Sequence, residues 1–415
     1  MSAAQLRSRI PEINSWLLAA VFFCIPLQVA PAYVLTAAML VLWLVDGRLP
    51  EKFRVLAGEP MVWIMAGYHG VMLASMLWTD DVDWGWRMIK RNNFFLLFPL
   101  YFSVARREHF GRYVTAFLAS IALCEALAFY NWAQLHLWPE LPAGVRVEKD
   151  PFDTAPFVDR IMYAPLLALA GYLAGHRLLF EAATARWRLV YAGLMVATAI
   201  NLLIAGGRTG LVGFLVLLAL LVFQRAPRRP LAASLLSAAL IGSVVLGGYY
   251  GSSYFRERVH DAVQGIVDYD KRPELSASQR IVFVVNAWRI YSEHPLLGVG
   301  IGDYRSEYER VSAIHTPQWV TGWNPHNHYL LVLTAAGVPG GIMLALVLLV
   351  PLLRAGPDDG RHRIRRAVPT LLIVICLLES YLARSNVSMM YMLFTAALWC
   401  GVPRAAPARA VPARQ

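Results

Sequence analysis

Apolar runs long enough to cross a lipid bilayer recur along almost the whole of this chain. A helix needs roughly 20 predominantly apolar residues to span the hydrocarbon core, and a helix satisfies its own backbone hydrogen bonds there. Hydrophobic residues make up 58% of the chain and charged residues only 16%. We therefore predict an all-α fold, a polytopic bundle of membrane helices.

Proline, glycine and charged residues divide the apolar sequence into twelve predicted transmembrane helices. Nine fall within 1–249 and three within 327–402. The segment between them, 250–326, is long enough to fold on its own, and apolar residues at helical spacing predict two or three surface helices there. The predicted spans are 15–30, 32–46, 61–78, 88–105, 113–135, 161–180, 189–205, 210–223, 231–249, 327–353, 368–383 and 389–402.

The distribution of Lys and Arg predicts how these helices are oriented. The two terminal segments and alternate loops carry 22 basic residues, against 8 on the other side once 250–326 is set aside. That segment is left out because long loops cross the membrane regardless of charge. Both termini are therefore predicted to be cytoplasmic, with 250–326 outside. The Pro/Ala/Arg-rich segment 403–415 predicts a disordered cytoplasmic tail near anionic lipid.

The net charge of +11 does not indicate a nucleic-acid partner, since the basic residues cluster in short loops between apolar runs. Membrane lipid headgroups explain that distribution better. The four cysteines all lie in apolar runs, which predicts packing roles and neither disulfides nor a zinc site. They are Cys24, Cys124, Cys376 and Cys400.

The stretch 294–341 runs from a polar, aromatic-rich loop into an apolar helix and carries two histidines at the predicted membrane boundary. Pro325 suits the first position of that helix and Asn324 its cap, which would place His326 in the first turn. The positive end of the helix would oppose protonation and keep the imidazole neutral. His326 is therefore a candidate general base. His328 would point roughly 200° away, so only one of the two is expected to line a site and the other to lie at the interface.

Ionisable groups in or beside membrane helices are costly and call for an explanation. Arg208 lies in the glycine-rich turn 206–210, where a backbone can approach a ligand closely. Arg280 opens an amphipathic run, and a row of guanidinium groups suits a lipid-linked diphosphate. Three more basic residues share one helix face and either bind the same ligand or extend to the headgroups. These are Arg87, Lys90 and Arg91, while Glu379 and Asp159 are expected to be ion-pair partners that orient arginines.

Two motifs suggest other chemistry but are too weak to carry it. Asp268-Tyr269-Asp270 matches the D-x-D pattern of metal-dependent sugar-nucleotide enzymes, yet no further ligands cluster around it. The glycines of 298–302 imitate a dinucleotide loop without the flanking strand and helix that such a loop requires. We predict no metal site and a tight turn at 298–302.

The chain resembles the O-antigen ligase and polymerase superfamily, whose members are polytopic glycan-transfer enzymes. Four segments carry the resemblance. They are Gly-Gly-Arg-Thr-Gly at 206–210, Ser-x-Arg at 278–280 followed by Trp288, HPLLGVGIGDY at 294–304, and Pro-His-Asn at 325–327 leading into Ala-Gly-Val-Pro-Gly at 336–340. The family's turn often reads Ser-Arg-Thr, so Gly207 stands where a serine would be.

The resemblance implies transfer of a preassembled glycan from undecaprenyl diphosphate to an acceptor at the periplasmic face of a bacterial inner membrane. It implies no metal, nucleotide or other cofactor. His326, Arg280 and Arg208 would be catalytic. The residues expected to bind substrate are Arg87, Lys90, Arg91, Asn327, His328 and Thr209. A single displacement with His326 as general base would invert the anomeric carbon.

Within the superfamily the resemblance favours an O-antigen ligase, which uses the lipid A core oligosaccharide as acceptor. An O-antigen polymerase and a protein O-oligosaccharyltransferase use the same kind of donor and remain alternatives. A flippase of lipid-linked glycans is an alternative from another class. Transporters usually place charged sites near the midplane, whereas the charged residues here gather at one predicted face, which favours the enzyme.

Overall fold

A computed structural model describes residues 3–146, 153–181 and 184–402, with side chains from residue 7 onward. Within those residues the chain is all-helical, as predicted, and contains no strand. The tail 403–415 lies outside the described residues. The α-helices are α1 (Ala3–Cys24), α2 (Val29–Val45), α3 (Leu49–Ala57), α4 (Pro60–Ala74), α5 (Val82–Asn92), α6 (Phe98–Val104), α7 (Phe110–His136), α8 (Arg160–Phe180), α9 (Ala185–Ile204), α10 (Arg208–Arg225), α11 (Pro230–Gly251), α12 (Ser253–Val267), α13 (Ser276–Glu293), α14 (Tyr304–His315), α15 (His328–Leu353), α16 (His362–Ile375) and α17 (Ser385–Trp399).

Six helical segments are long and apolar enough to cross a membrane, within the part of the chain that the structure describes. A seventh is possible if α2 and α3, which meet at 117°, count as one broken span. A multi-pass membrane protein is therefore confirmed, while the number twelve stays a prediction. The six segments are Pro60–Trp78, Arg107–His136, Ala185–Ile204, Arg208–Arg225, Pro230–Gly251 and His328–Leu353.

Several predicted spans are not continuous helices. The span 15–30 runs past the end of α1 at Cys24 into the start of α2 at Val29. The span 88–105 is divided among the end of α5, a 3₁₀ segment over Asn93–Leu97, and α6. The carbonyl of Asn92 accepts a hydrogen bond from the ring of His69 instead of continuing the helix, and α6 restarts with Pro99 in its first turn. The predicted span 368–383 is not a single helix, because α16 ends at Ile375. The residues that follow, 376–380, form a turn that carries Glu379.

Close packing of α8 against α10 forms the centre of the bundle near the glycine turn. The side chains of α8 are buried from Tyr163 to Arg177. A Cβ atom on Gly210 would lie 2.4 Å from the backbone carbonyl carbon of Ala164, so only glycine permits this approach. The contact holds the start of α10, and therefore Arg208, against the start of α8.

The loop 294–303 packs into a kink of α15. This contact explains why both 298–302 and 336–340 are rich in glycine. Gly337 has φ +58° and interrupts the helical backbone. The amides of Val299 and Gly300 donate to the carbonyls of Thr334 and Ala335, over 2.8 and 3.1 Å. A Cβ on Gly337 would lie 2.3 Å from the carbonyl oxygen of Leu296. The predicted turn at 298–302 is confirmed, and its backbone replaces hydrogen bonds that the kink removes.

The predicted surface helices of 250–326 are three in number, α12, α13 and α14. At the end of the bundle away from them, several loops that the basic-residue count assigned to one side lie together. Arg107 forms an ion pair with Asp359 at 2.9 Å, and Arg365 forms another with the same carboxylate at 2.8 Å. A 340 Å³ cavity at this end has Pro11, Asp46 and Gly401 in its wall. The grouping agrees with the predicted topology, although the side of the membrane that this end faces stays a prediction.

Candidate functional site

A cavity of about 250 Å³ lies beside the turn between α9 and α10, and four arginines line it. The α9 helix ends at Ile204, and Gly206 takes a left-handed φ of +67° that redirects the chain into α10. The sequence predicted this tight turn correctly. Arg208 is therefore the first residue of α10 and lines the cavity. The other three arginines come from the start of α8 and from the two surface helices α12 and α13: Arg160, Arg258 and Arg280.

Like charges are crowded in this four-arginine cavity. The positive charges of Arg258 and Arg280 both act on Arg208, and among the described residues the groups that oppose them are Asp261 and the hydroxyl of Tyr254. The guanidinium of Arg208 donates to the hydroxyl of Ser276 at 3.0 Å, which is a neutral partner. The Nε atom of Arg258 is buried and has no hydrogen-bond partner among the residues that the structure describes. A bound dianion or trianion would relieve this repulsion, because guanidinium groups bind phosphate oxygens through paired hydrogen bonds.

The backbone around His326 differs from the sequence prediction. The α15 helix begins at His328, and Asn327 is its cap, with the side-chain oxygen accepting from the amide of Leu330 at 3.0 Å. His326 lies before the helix with a left-handed φ of +51°, a conformation that costs energy in a residue with a side chain. Its amide donates to the side-chain oxygen of Asn324 at 3.0 Å. The expected first-turn position was wrong, and with it the expectation that a helix end keeps the imidazole neutral.

A buried carboxylate orients the His326 imidazole instead. The Nδ1 atom of His326 lies 2.6 Å from an oxygen of Glu379, whose side chain is 0% exposed. The ring also stacks on Phe283, with centroids 5.5 Å apart. If Nδ1 carries the proton that the carboxylate accepts, Nε2 has a free lone pair. Among the described residues Nε2 has no hydrogen-bond partner, and the His326 side chain is 26% exposed.

The carboxylate of Glu379 is held ionised by its surroundings. Glu379 lies in the turn 376–380, outside the candidate membrane spans. Burial favours the protonated acid, but the hydrogen bond to His326 and the charges of His326 and Arg384 outweigh it and lower the pKa of Glu379 to about 2. The amide of Asn324 and the backbone amide of Ser380 also donate to it, at 2.7 and 2.9 Å. The pair can therefore supply a fixed proton acceptor.

Two contacts connect the His326–Glu379 pair to the four-arginine cavity. Phe283 stacks on His326 and lies one helical turn after Arg280 on α13. Tyr381 lines the cavity, interacts with Thr209 through its hydroxyl, and follows Glu379 by two residues. Arg208, Arg280 and His326, which are distant in sequence, are therefore brought to one end of the bundle.

Comparison with protein-family models gives an independent indication for this region. Residues 193–345 match the model described as O-antigen ligase. This segment is therefore similar to the O-antigen ligase family, and we call it the ligase segment. A comparison with curated proteins found no match. The ligase segment runs from within α9 to within α15 and so contains Arg208, Arg280 and His326, whereas Glu379 lies outside it.

The remaining predicted site residues occupy different environments. Thr209 is buried against Tyr381 in the wall of the four-arginine cavity. Asn327 caps α15, and its amide donates to the carbonyl of Leu377 at 3.1 Å, which joins the ligase segment to the turn with Glu379. His328 is 1% exposed and lies 3.2 Å from the hydroxyl of Tyr68, so it is inside the bundle and not at the interface. Its burial does not support the predicted substrate contact.

The three basic residues of α5 lie in different environments and do not form the single ligand-binding row that the sequence suggested. Lys90 and Arg87 are exposed, and Arg87 lies over the ring of Trp84. Arg91 is half-buried and packs over Trp323, three residues before His326, at 4.3 Å from the ring centroid. Arg91 therefore contacts the segment that carries His326.

Sequence reasoning missed three site arginines and the main role of Glu379. Arg160 and Arg258 line the cavity, and Arg384 lies 3.5 Å from Glu379. Glu379 was predicted to pair with an arginine, which is correct, but its shorter contact is with His326. The available signal was a lone carboxylate at the end of an apolar run, followed five residues later by an arginine.

Within the described residues, one group of side chains could together ligate a metal ion, and it is separate from the candidate site. Glu293, His294 and Glu307 lie within 4.8 Å of one another on the surface. Both carboxylates already pair with the guanidinium of Arg310. Asp268 of the D-x-D motif is half-exposed beside Lys271.

Proposed function

We propose that this protein is an O-antigen ligase, which transfers a glycan from undecaprenyl diphosphate to a sugar hydroxyl of the lipid A core. The observation that carries the proposal is the oriented His326–Glu379 pair next to a cavity lined by four arginines. The match of residues 193–345 to the O-antigen ligase family supports it. The polytopic bundle suits two substrates that are both anchored in lipid.

On the donor side, the arginines hold the diphosphate that leaves. Breaking the bond between the anomeric carbon and the diphosphate oxygen places negative charge on that oxygen. Arg208 and Arg280 stabilise this charge as it develops, which lowers the barrier in a site partly shielded from water. A diphosphate is a good leaving group, so positioning and charge neutralisation are the main demands on the protein.

On the acceptor side, His326 removes the hydroxyl proton. Nε2 accepts the proton as the acceptor oxygen attacks the anomeric carbon, and Glu379 stabilises the imidazolium that forms. The bond to the acceptor oxygen forms as the bond to the diphosphate breaks, so the anomeric configuration inverts. Glu379 lies behind the imidazole with its side chain 0% exposed, which argues against its acting as a glycosyl nucleophile.

Reconstitution of the purified protein with lipid-linked glycan and lipid A core tests the proposal. We expect glycosylated core to form without ATP or added metal, and to fall by about 10²-fold or more in His326→Ala because the general base is lost. His315→Ala is the matched control, since His315 is an exposed histidine on α14. Abolition of turnover by EDTA would contradict the metal-independent mechanism.

The same reconstitution separates the alternatives. A polymerase would lengthen the lipid-linked glycan without consuming core. A flippase would move the glycan across the vesicle bilayer and yield no product. Either result would overturn the ligase proposal, whereas equal activity of His326→Ala and the wild type would overturn the assigned base.

A further inference from the structure

A second group of guanidiniums lies beside His326, separate from the four-arginine cavity. Trp323 packs against the guanidinium of Arg91, with 4.3 Å to the ring centroid, and against that of Arg384, with 5.8 Å. Trp84 meets Trp323 edge-on at 6.0 Å and carries Arg87 over its ring at 5.8 Å. We call Arg91, Trp323 and Arg384 the Trp323 cluster. None of its residues lines the four-arginine cavity.

Glu379 places the Trp323 cluster next to the proposed reaction centre. One carboxylate oxygen lies 2.6 Å from His326 Nδ1, and the other lies 3.5 Å from the guanidinium of Arg384. Trp323 precedes His326 by three residues in the same loop. A group bound at the Trp323 cluster would therefore lie close to a hydroxyl that is hydrogen-bonded to His326.

The positive charges of the Trp323 cluster are not balanced within the described residues. Arg91 forms no ion pair there, and the charge of Arg384 acts on it repulsively. Among the described residues the acidic partner of Arg384 is Glu379, at 3.5 Å, a carboxylate that already accepts from His326, Asn324 and Ser380. The Nε of Arg384 is buried, and no described residue forms a hydrogen bond with it. Holding two like charges on one indole is costly unless an anion joins them, although the ring faces themselves attract guanidinium groups.

Resting on the proposed function, we infer that Arg91 and Arg384 form an anion subsite for the acceptor, which carries a phosphate group near the hydroxyl that is glycosylated. The reaction brings two substrates to His326, and the diphosphate of the donor is assigned to the four-arginine cavity. The second basic cluster, beside the same imidazole, then binds the other substrate. Guanidinium edges that project from a tryptophan face suit the paired hydrogen bonds of a phosphate or carboxylate.

Acceptor kinetics test the inference. The full-length protein in phosphatidylcholine nanodiscs would be given lipid-linked glycan and either phosphorylated lipid A core or the same core after phosphatase treatment. We expect Arg91→Gln to raise the KM for phosphorylated core by roughly tenfold, the usual effect of losing a charge-assisted hydrogen bond. The KM for the treated core and for the donor should change little. Arg91→Lys should restore part of the difference.

A second variant and a control guard against a general structural effect. Arg384→Gln should raise the acceptor KM in the same way. Any additional fall in kcat would reflect the loss of its contact with Glu379. Arg305→Gln removes an exposed arginine of α14 and should behave as wild type. Equal KM increases for both cores, or an increase for the donor, would overturn the inference. An increase in the acceptor KM of Arg91→Gln that appears only when phosphatidylglycerol replaces phosphatidylcholine would also overturn it, since the subsite would then bind lipid headgroups.

A binding measurement separates this inference from the proposed function. Delipidated, phosphorylated core oligosaccharide would be titrated onto the wild type and Arg91→Gln by microscale thermophoresis. Weaker binding to Arg91→Gln with equal binding of the dephosphorylated oligosaccharide supports the subsite even if no transfer occurs. Equal binding of the phosphorylated form to both proteins overturns it, whether or not the wild type is an active ligase.

Discussion

His326 illustrates how a side chain depends on partners that its own sequence neighbours do not reveal. Its left-handed backbone is stabilised by Asn324, and its ring is fixed between Phe283 and Glu379. A residue in a strained conformation with a buried carboxylate behind its ring is typical of a site where geometry matters more than local stability.

Removal of the carboxylate should therefore affect transfer more than folding. In Glu379→Gln we expect the transfer rate to fall by about 10²-fold, because an amide no longer selects the Nδ1–H tautomer or stabilises the imidazolium. Initial rates in reconstituted vesicles measure this, with thermal stability in detergent recorded in parallel. Glu309→Gln on the exposed face of α14 is the control. A Glu379→Gln protein with full activity would show that the carboxylate does not assist His326.

Arg208 should not be replaceable by lysine. In Arg208→Lys we expect the KM for the lipid-linked donor to rise or kcat to fall, together lowering kcat/KM by about tenfold or more, because an ammonium group cannot form the paired bonds of a guanidinium. Steady-state kinetics with varied donor measure the change. Arg225→Lys at the exposed far end of α10 removes the same group without touching the cavity and should be neutral. Similar losses in both variants would argue against a specific role for Arg208.

The helices position these side chains through two close backbone approaches. The start of α10 lies directly against α8 at Gly210, and the kink of α15 at Gly337 accepts the loop 294–303. Both contacts need glycine for steric reasons, so the glycine-rich motifs of the sequence are packing features as well as family features. Their consequence is that the turn with Arg208 and the loop 294–303 are held against the bundle by close backbone contacts.

The α8–α10 contact can be tested with a single methyl group. Gly210→Ala would place a Cβ 2.4 Å from the backbone of Ala164, which cannot move as a flexible side chain would. We expect destabilisation of about 1–3 kcal/mol or more and a clear fall in the thermal midpoint in detergent. In Gly242→Ala on α11, the added Cβ meets nothing within 4 Å, so that variant should be neutral or slightly stabilised through helix propensity. Equal midpoints for the two variants would contradict the packing.

The molecule as a whole has two chemically distinct ends. At one end α12 and α13 line the four-arginine cavity, Phe283 of α13 stacks on His326, and α14 packs against α13. At the other end Asp359 joins two basic loops through Arg107 and Arg365. The positive-inside pattern predicts that the second end faces the cytoplasm, which would leave the site on the outer side, where a lipid-linked glycan and the lipid A core would meet.

Cysteine accessibility tests that orientation. Glu309→Cys on α14 should react in intact spheroplasts with a membrane-impermeant thiol reagent, whereas Arg228→Cys between α10 and α11 should react only after lysis. Both positions are exposed, and a background without the four native cysteines removes their signal. Three of those cysteines are buried and none forms a disulfide in the described residues, so their replacement by alanine is a reasonable starting point. The opposite labelling pattern would invert the topology and rule out a periplasmic site.

Local sequence information was enough for the class of the protein and for part of its site. Apolar runs predicted the membrane helices, and glycines predicted the turns at 206–210 and 298–302, because bilayer thickness and backbone sterics act on consecutive residues. The wrong expectations concerned places where a distant group competes with the local preference. Span 88–105 is broken where the carbonyl of Asn92 accepts a hydrogen bond from His69, and the helix with His328 begins three residues later than predicted.

The pairing of His326 with Glu379 depends on folding, since the two residues are 53 positions apart and meet only because α16 ends early in a turn. The same holds for the meeting of four arginines from α8, α10, α12 and α13, and for the burial of His328 against Tyr68. Charge, burial and hydrogen bonding act through space, and no spacing along the chain encodes those distances. Residue types and turns could therefore be predicted from the chain, whereas which of them share a site required the packed bundle.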